Sequence, residues 1–264
     1  MRRSLTFACA GETLFGTLDD APGRTGLLIV SGGNEPRFGP VRGQAILAAS
    51  VADAGYPVFR FDRRGVGDST GENRGFLRSG DDIAAAAATF RAETGVTRIV
   101  GFGNCDAATA LALWHRQAGI ATLLLANPWA VEPDGDLPPT AAIRARYAAR
   151  LVSPQQWWRA LRGGIDPRKA ARGIAAVLRG STRPGTLVLR FSEALKQAVP
   201  TTILLANGDN TALAFSEVWG HRDFASLRRS VGLLRLDSNG HSFTAPADAF
   251  WLRRRVLEAL ASTG

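Results

Sequence analysis

The chain has 264 residues, 45% of them hydrophobic and 21% charged, a balance that excludes a disordered or low-complexity polypeptide. A chain of this length buries roughly 75% of the surface it exposes unfolded, so one large α/β domain is sufficient. With only two cysteines, Cys9 and Cys105, a disulfide framework is excluded, and the net charge of +9 points to an anionic partner.

The charge is not evenly spread. Between Trp129 and Gln197 twelve Arg or Lys stand against five Asp or Glu, a net +7, and the rest of the chain is nearly neutral. No recognisable nucleic-acid module accompanies it, so nucleic acid is not the expected partner. The opening residues Met1 to Glu12 imitate a secretory leader, but Gly11 and Glu12 interrupt the apolar run too early. No later stretch is long and uncharged enough to span a bilayer. The expectation is a cytoplasmic protein, and since no His/Cys cluster has metal-ligand spacing, neither a metal nor another cofactor is expected.

Leu5 to Leu18 alternate around Gly11 and predict an antiparallel hairpin. An apolar strand over Gly26–Val30 then runs into Ser31-Gly32-Gly33-Asn34 and a helix over Gln44–Ala54. The βα rhythm continues with a strand Tyr56–Asp62, a helix Asp82–Glu93, a strand Arg98–Gly103, a helix Asp106–Gln117 and a strand Thr122–Ala126. It breaks after Pro128, where an Arg- and Pro-containing segment with Trp157 and Trp158 reads as an insertion. The rhythm resumes with a strand Thr202–Ala206, a helix Leu213–Arg229, a strand Leu233–Leu236 and a helix Ala247–Leu260. Continuous apolar strands alternating with helices predict a mostly parallel sheet covered on both faces. The expected division is a core over 1–128 and 201–264 with a helical cap inserted at 129–200.

The chemistry concentrates in VGFGNCDAATALAL, where a strand passes through Gly103-Asn104-Cys105-Asp106-Ala107 directly into a helix. This is the layout of the nucleophile elbow GxSxG, with cysteine for serine and Ala107 for the last glycine. Small flanking residues let a strained turn lift the nucleophile above the sheet while the helix packs close beneath. A thiol at a helix N-terminus gains thiolate character, and the adjacent Asp106 opposes it unless its carboxylate points away. The Asp106 backbone N–H is an expected oxyanion donor, and Gly33 and Asn34 are the candidates for the second.

His241, in the loop after the last strand, is the expected base, and Asp209, after the preceding strand, the expected acid. Asp237 is the nearest rival to Asp209; His115 and His221 fall on predicted helices away from the strand ends. Cys9 reads as core. The order Cys105, Asp209, His241 is that of the α/β-hydrolase fold. Near the second parallel strand, Asp62-Arg63-Arg64-Gly65-Val66-Gly67-Asp68-Ser69 is similar to the DxRGxGxS loop common in that fold and reads as structural.

Over nearly its full length the chain resembles the α/β-hydrolase superfamily. The pieces SGGNEPRFGPVRG, FDRRGVGDSTGE, GNCDAATAL and GDNTALAF look like those of exosortase A system-associated hydrolase 1, a bacterial family with a Cys-Asp pair at the elbow. The resemblance implies a setting near exopolysaccharide biosynthesis. Two positions depart from the family: Asn207-Gly208-Asp209 replaces an expected Gly-Asn-Asp, and Ala214 stands where an acidic residue is usual.

These observations lead to a hydrolase of esters or thioesters working through an acyl-cysteine, on a small-molecule or carrier-bound acyl substrate of anionic character. Two other readings stay open at this level. One is an acyltransferase that delivers the acyl group to a saccharide; the other is a non-catalytic binding protein that keeps the fold. The oligomeric state is not readable from the sequence.

Overall fold

The structure is a computed structural model in which residues 1–130, 185–196 and 199–264 are described. Along the chain these form β1 (Arg2–Cys9), β2 (Glu12–Asp19), β3 (Thr25–Val30), α1 (Gly43–Ala52), β4 (Val58–Phe61), α2 (Gly80–Thr94), β5 (Arg98–Asn104) and α3 (Asp106–Trp114). There follow β6 (Thr122–Ala126), α4 (Thr186–Lys196), β7 (Thr201–Ala206), α5 (Asn210–Gly220), β8 (Gly232–Leu236) and α6 (Pro246–Thr263). Most of the expected cap, including Trp157 and Trp158, lies outside the described residues.

The strands make one sheet in the order β1-β2-β4-β3-β5-β6-β7-β8. β1 and β2 form the expected hairpin, turning at Ala10 and Gly11, both with positive φ. β2 also runs antiparallel to β4, and every pairing from β4 onward is parallel.

The apolar runs are continuous because both faces of the central strands are buried. In β3, Leu28 and Val30 enter one core with Ala86 and Phe90 of α2, Ala108 and Leu111 of α3 and Phe191 of α4. Leu27 and Ile29 enter the other, with Leu47 and Val51 of α1 and Leu252 and Val256 of α6. β5, β6 and β7 alternate likewise, and each such fully buried side chain contributes about 1.5–3 kcal/mol.

One helix is shorter than its sequence pattern. The run from Leu213 to Arg229 breaks after Gly220, where His221 adopts an extended conformation, and two 3₁₀ turns follow at Arg222–Phe224 and Leu227–Arg229. Phe224 and Leu227 remain buried, so the apolar spacing that suggested a continuing helix is satisfied by turns instead.

Candidate functional site

Strand register assembles the site. Val30 pairs with Gly103, Asn104 with Ala126, Ala126 with Leu204, and Ala206 with Leu236. The C-terminal ends of β3, β5, β6, β7 and β8 therefore form one rim, where open α/β sheets place their ligands. The loops carrying Gly33, Cys105, Asp209 and His241 all start from that rim.

Cys105 occupies the expected turn with φ 61° and ψ −126° as N-cap of α3. Left-handed φ in a side-chain-bearing residue costs of order 1–3 kcal/mol and is held by its surroundings. Here the Cys105 N–H donates to the Ala126 carbonyl at 3.0 Å, and its carbonyl accepts from Trp129 N–H at 3.1 Å. Gly103 is required: a Cβ there would lie 2.8 Å from the Ala107 backbone carbon. Ala107 itself is fully buried, so the small-residue requirement of the elbow is met.

Asp209 caps α5, its Oδ2 accepting from the N–H groups of Thr211 and Ala212 at 3.1 Å each. Its other oxygen, Oδ1, lies 3.0 Å from His241 Nδ1. The Asp209 carboxylate and then the Cys105 side chain both interact with the imidazole. Together they raise the His241 pKa from 6.5 to about 10 against the opposing effect of burial.

The Asn207-Gly208-Asp209 order has a local cause. Gly208 N–H donates to Ser238 O at 2.9 Å, and a Cβ on Gly208 would lie 1.6 Å from Asn239 Oδ1. The β7 and β8 loops thus touch at a position where a side chain would displace the Asn239 amide.

Two asparagines that sequence reasoning did not single out hold His241 from behind. Asn104 Nδ2 and the fully buried Asn127 Nδ2 donate to the His241 carbonyl at 3.1 and 3.0 Å. Asn127 Oδ1 also accepts the Ala206 N–H at 2.9 Å, coupling the ends of β6 and β7. The signal was a lone Asn directly following an apolar strand, in Ala126-Asn127-Pro128.

Beside Cys105, the Asp106 carboxylate turns to the loop after β3. Its Oδ1 accepts the Gly33 N–H at 2.7 Å, and its Oδ2 lies 3.8 Å from Arg63 Nη2, which itself donates to the Gly33 carbonyl. The Gly33 amide is therefore engaged, whereas the Asp106 and Asn34 amides donate to no atom among the described residues. Asp62 organises the rest of the 62–69 loop, accepting from Arg37 and from Asp68 N–H. Glu35, also passed over in the sequence, is half-buried here. Burial and then the Asp106 charge raise its pKa, and His241 acts in the opposite direction.

The other candidates are elsewhere. Asp237 is exposed and has no ion pair with His241. His115 is buried at the end of α3 against the Ala112 carbonyl, and His221 pairs with Asp223. Cys9 is buried with its thiol on Asp82 Oδ1 at 3.4 Å, and burial with that carboxylate pushes its pKa up to about 11. Among the described residues no group of His, Cys, Asp and Glu is placed to hold a metal ion, and no helix is long and apolar enough to cross a membrane.

No family model and no curated protein matches the sequence. Solved structures do match over nearly the whole chain. The Pyrococcus furiosus esterase Pf2001 has a TM-score of 0.67 at 15% identity, over 99% of this chain and 92% of the esterase. A thioesterase domain from the curacin biosynthetic pathway has a TM-score of 0.61 at 18% identity, covering 98% and 99%. XC6422 from Xanthomonas campestris, an α/β serine hydrolase without a lid, has a TM-score of 0.61 at 16% identity, covering 99% and 94%. The chain has the α/β-hydrolase fold.

Proposed function

We propose that the protein hydrolyses carboxylic esters or thioesters with Cys105 as nucleophile, His241 as acid and base, and Asp209 as the carboxylate that orients the imidazole. One observation carries this reading: the His241 imidazole lies against the Asp209 carboxylate, 3.0 Å away, and also interacts with the side chain of a cysteine held at positive φ on a strand-to-helix elbow. The fold alone hosts many activities, so the weight rests on these side chains.

In the first half-reaction His241 takes the Cys105 thiol proton, the sulfur bonds to the acyl carbon, and the bond from that carbon to the leaving oxygen or sulfur breaks. The imidazolium of His241 gives its proton to the departing atom. In the second half, neutral His241 takes a proton from water, the hydroxyl oxygen bonds to the acyl carbon, the carbon–sulfur bond breaks, and the imidazolium returns the proton to the sulfur. Asp209 keeps Nδ1 protonated and faces the charge that forms on the ring. The Asp106 and Asn34 amides receive the oxyanion, since Gly33 N–H is held by the Asp106 carboxylate.

The basic stretch from Trp129 to Gln197 supports an anionic substrate such as a coenzyme- or carrier-bound acyl group, and the Cys-Asp resemblance supports a role in bacterial exopolysaccharide synthesis. The protein acts in the cytoplasm, where such carriers occur. The test is trapping: wild-type protein mixed with an acyl donor carries the acyl mass on the peptide containing Cys105, and Cys105→Ala carries none and loses turnover. Unchanged turnover in Cys105→Ala would defeat the assignment.

A further inference from the structure

A cavity of about 290 Å³ opens between α1, the start of α6 and the loops after β3 and β8, on the face of the sheet opposite α3. Its floor includes Leu47, Phe102, Phe243 and Leu252, all buried. Its rim holds Val41 (82% exposed), Ile46 (61%) and Phe250 (66%), large apolar side chains left in contact with water. Single exposed apolar residues are ordinary, but three around one apolar cavity mark a surface that is covered in use.

The cavity lies beside the site, although neither Cys105 nor His241 lines it. Asn104 and Ser242, the sequence neighbours of Cys105 and His241, both line it, as does Glu35. Strain gathers at the same place: Val41, Arg42 and Phe243 have φ of 49°, 60° and 52°, beside Cys105 at 61°. A β-branched residue such as Val41 at positive φ is a costly conformation.

We propose that this cavity binds an unbranched alkyl arm of the substrate, about eight to ten heavy atoms long, while the carbonyl lies at Cys105. This rests on the ester or thioester reading above. The length follows from volume, since a methylene- or water-sized group takes about 30 Å³. The cavity is at the small end of ligand sites, and Asn104 and Ser242, next in sequence to Cys105 and His241, suit an ester carbonyl leaving it toward the rim of the sheet. Glu35 stands at that end, and burial raises its pKa.

The arm can belong to the acyl group or to the leaving group, and two substrate series separate these sources. In one, p-nitrophenyl acetate is compared with p-nitrophenyl octanoate; in the other, methyl acetate with octyl acetate. Filling the cavity with Ala249→Trp, or narrowing its rim with Ile46→Trp, lowers the long-to-short ratio of kcat/KM at least tenfold in one series. The rim residue Ile46 is exposed, so its variant folds even if Ala249→Trp does not. Independently of turnover, Cys105→Ala protein binds octanoate or 1-octanol by calorimetry, and Ile46→Trp weakens that binding at least tenfold. Ratios unchanged in both series, or no binding of either chain, would overturn the proposal. Loss of the acyl-cysteine with chain binding intact would instead sink only the catalytic reading.

Discussion

Asp106 Oδ1 accepts the Gly33 N–H at 2.7 Å, so the residue after the candidate nucleophile grips the loop that follows β3. The same loop is held from its carbonyl side by Arg63, which lies 3.8 Å from Asp106 Oδ2. A Cβ on Gly32 would lie 2.6 Å from Asp106 Oδ1, so the glycine and the carboxylate are fitted to each other. The oddity of a carboxylate beside a thiol has a physical account: its charge is spent on an amide and a guanidinium rather than aimed at sulfur.

Asp106 is accordingly a positioning residue. Asp106→Ala releases the loop and lowers kcat about tenfold to a hundredfold, less than the roughly 10²–10³ lost when an oxyanion donor is deleted outright. KM for a small ester changes little. Asp106→Asn keeps an acceptor for Gly33 N–H and restores most of the rate, an outcome that a purely charge-based role does not give. Steady-state kinetics of both variants checks this, and an unaltered kcat in Asp106→Ala speaks against it.

The two cysteines should separate cleanly under alkylation. Cys9 is buried and its pKa is pushed up to about 11, whereas Cys105 is partly accessible at the rim. Iodoacetamide at neutral pH therefore modifies Cys105 and leaves Cys9 untouched in the folded protein, as peptide mass mapping reads directly. His241→Ala slows the modification of Cys105. Equal labelling of both thiols contradicts this arrangement.

His241 carries a pH signature. Its pKa of about 10 in the folded protein stands above the ordinary 6.5, so the folded state binds more protons than the unfolded chain between those values. Unfolding free energy from this group is then fully present below about pH 6.5 and is lost as pH rises through about 10. The side chain is 37% exposed, so solvent screening keeps the contribution modest. In histidine-labelled protein the His241 resonance titrates far above 6.5, and Asp209→Asn or Cys105→Ala moves it back toward 6.5. The difference in urea midpoint between wild type and Asp209→Asn shrinks from pH 7 to pH 10. A His241 midpoint near 6.5 in the wild type rules out the coupling.

Much of this was legible in the residues. Runs such as Gly26–Val30 and Leu123–Ala126 could only be central strands, because every side chain in them had to be apolar to be buried on both faces. The elbow was legible because its steric demand falls on adjacent positions, Gly103 and Ala107 about Cys105. Asn104, Asn127 and Glu35 were not. Their partners are 137, 114 and about 200 residues away, and an Asn or Glu in a loop satisfies local turn chemistry equally well. The helix over Leu213–Arg229 was overextended for a related reason. Phe224 and Leu227 keep helical spacing to what precedes them, yet pack from 3₁₀ turns once His221 leaves the helix.

The meeting of Gly208 with Asn239 gives the sharpest mutational test of how the acid is placed. Any side chain at 208 collides with Asn239 Oδ1, since a Cβ would lie only 1.6 Å from it. Because Gly208 N–H also binds the Ser238 carbonyl, the β7 and β8 loops cannot separate without losing that bond. Gly208→Ala therefore drives the exposed Asn239 amide into another rotamer and leaves the new methyl 3.3 Å from the Asn239 Cα, in the loop that carries His241. Because an exposed side chain can yield, the cost is at the low end of overpacking, about 1 kcal/mol, and strain passed to the loop of the imidazole lowers kcat more than it raises KM. The clash is with the Asn239 amide, an exposed side chain whose own removal is cheap. Asn239→Ala alone should be near neutral, and the double variant Gly208→Ala/Asn239→Ala should recover stability and rate beyond the sum of the two single changes. Thermal melts and kcat for the four proteins of this cycle decide it, and strict additivity would mean the loops are not held together at this contact.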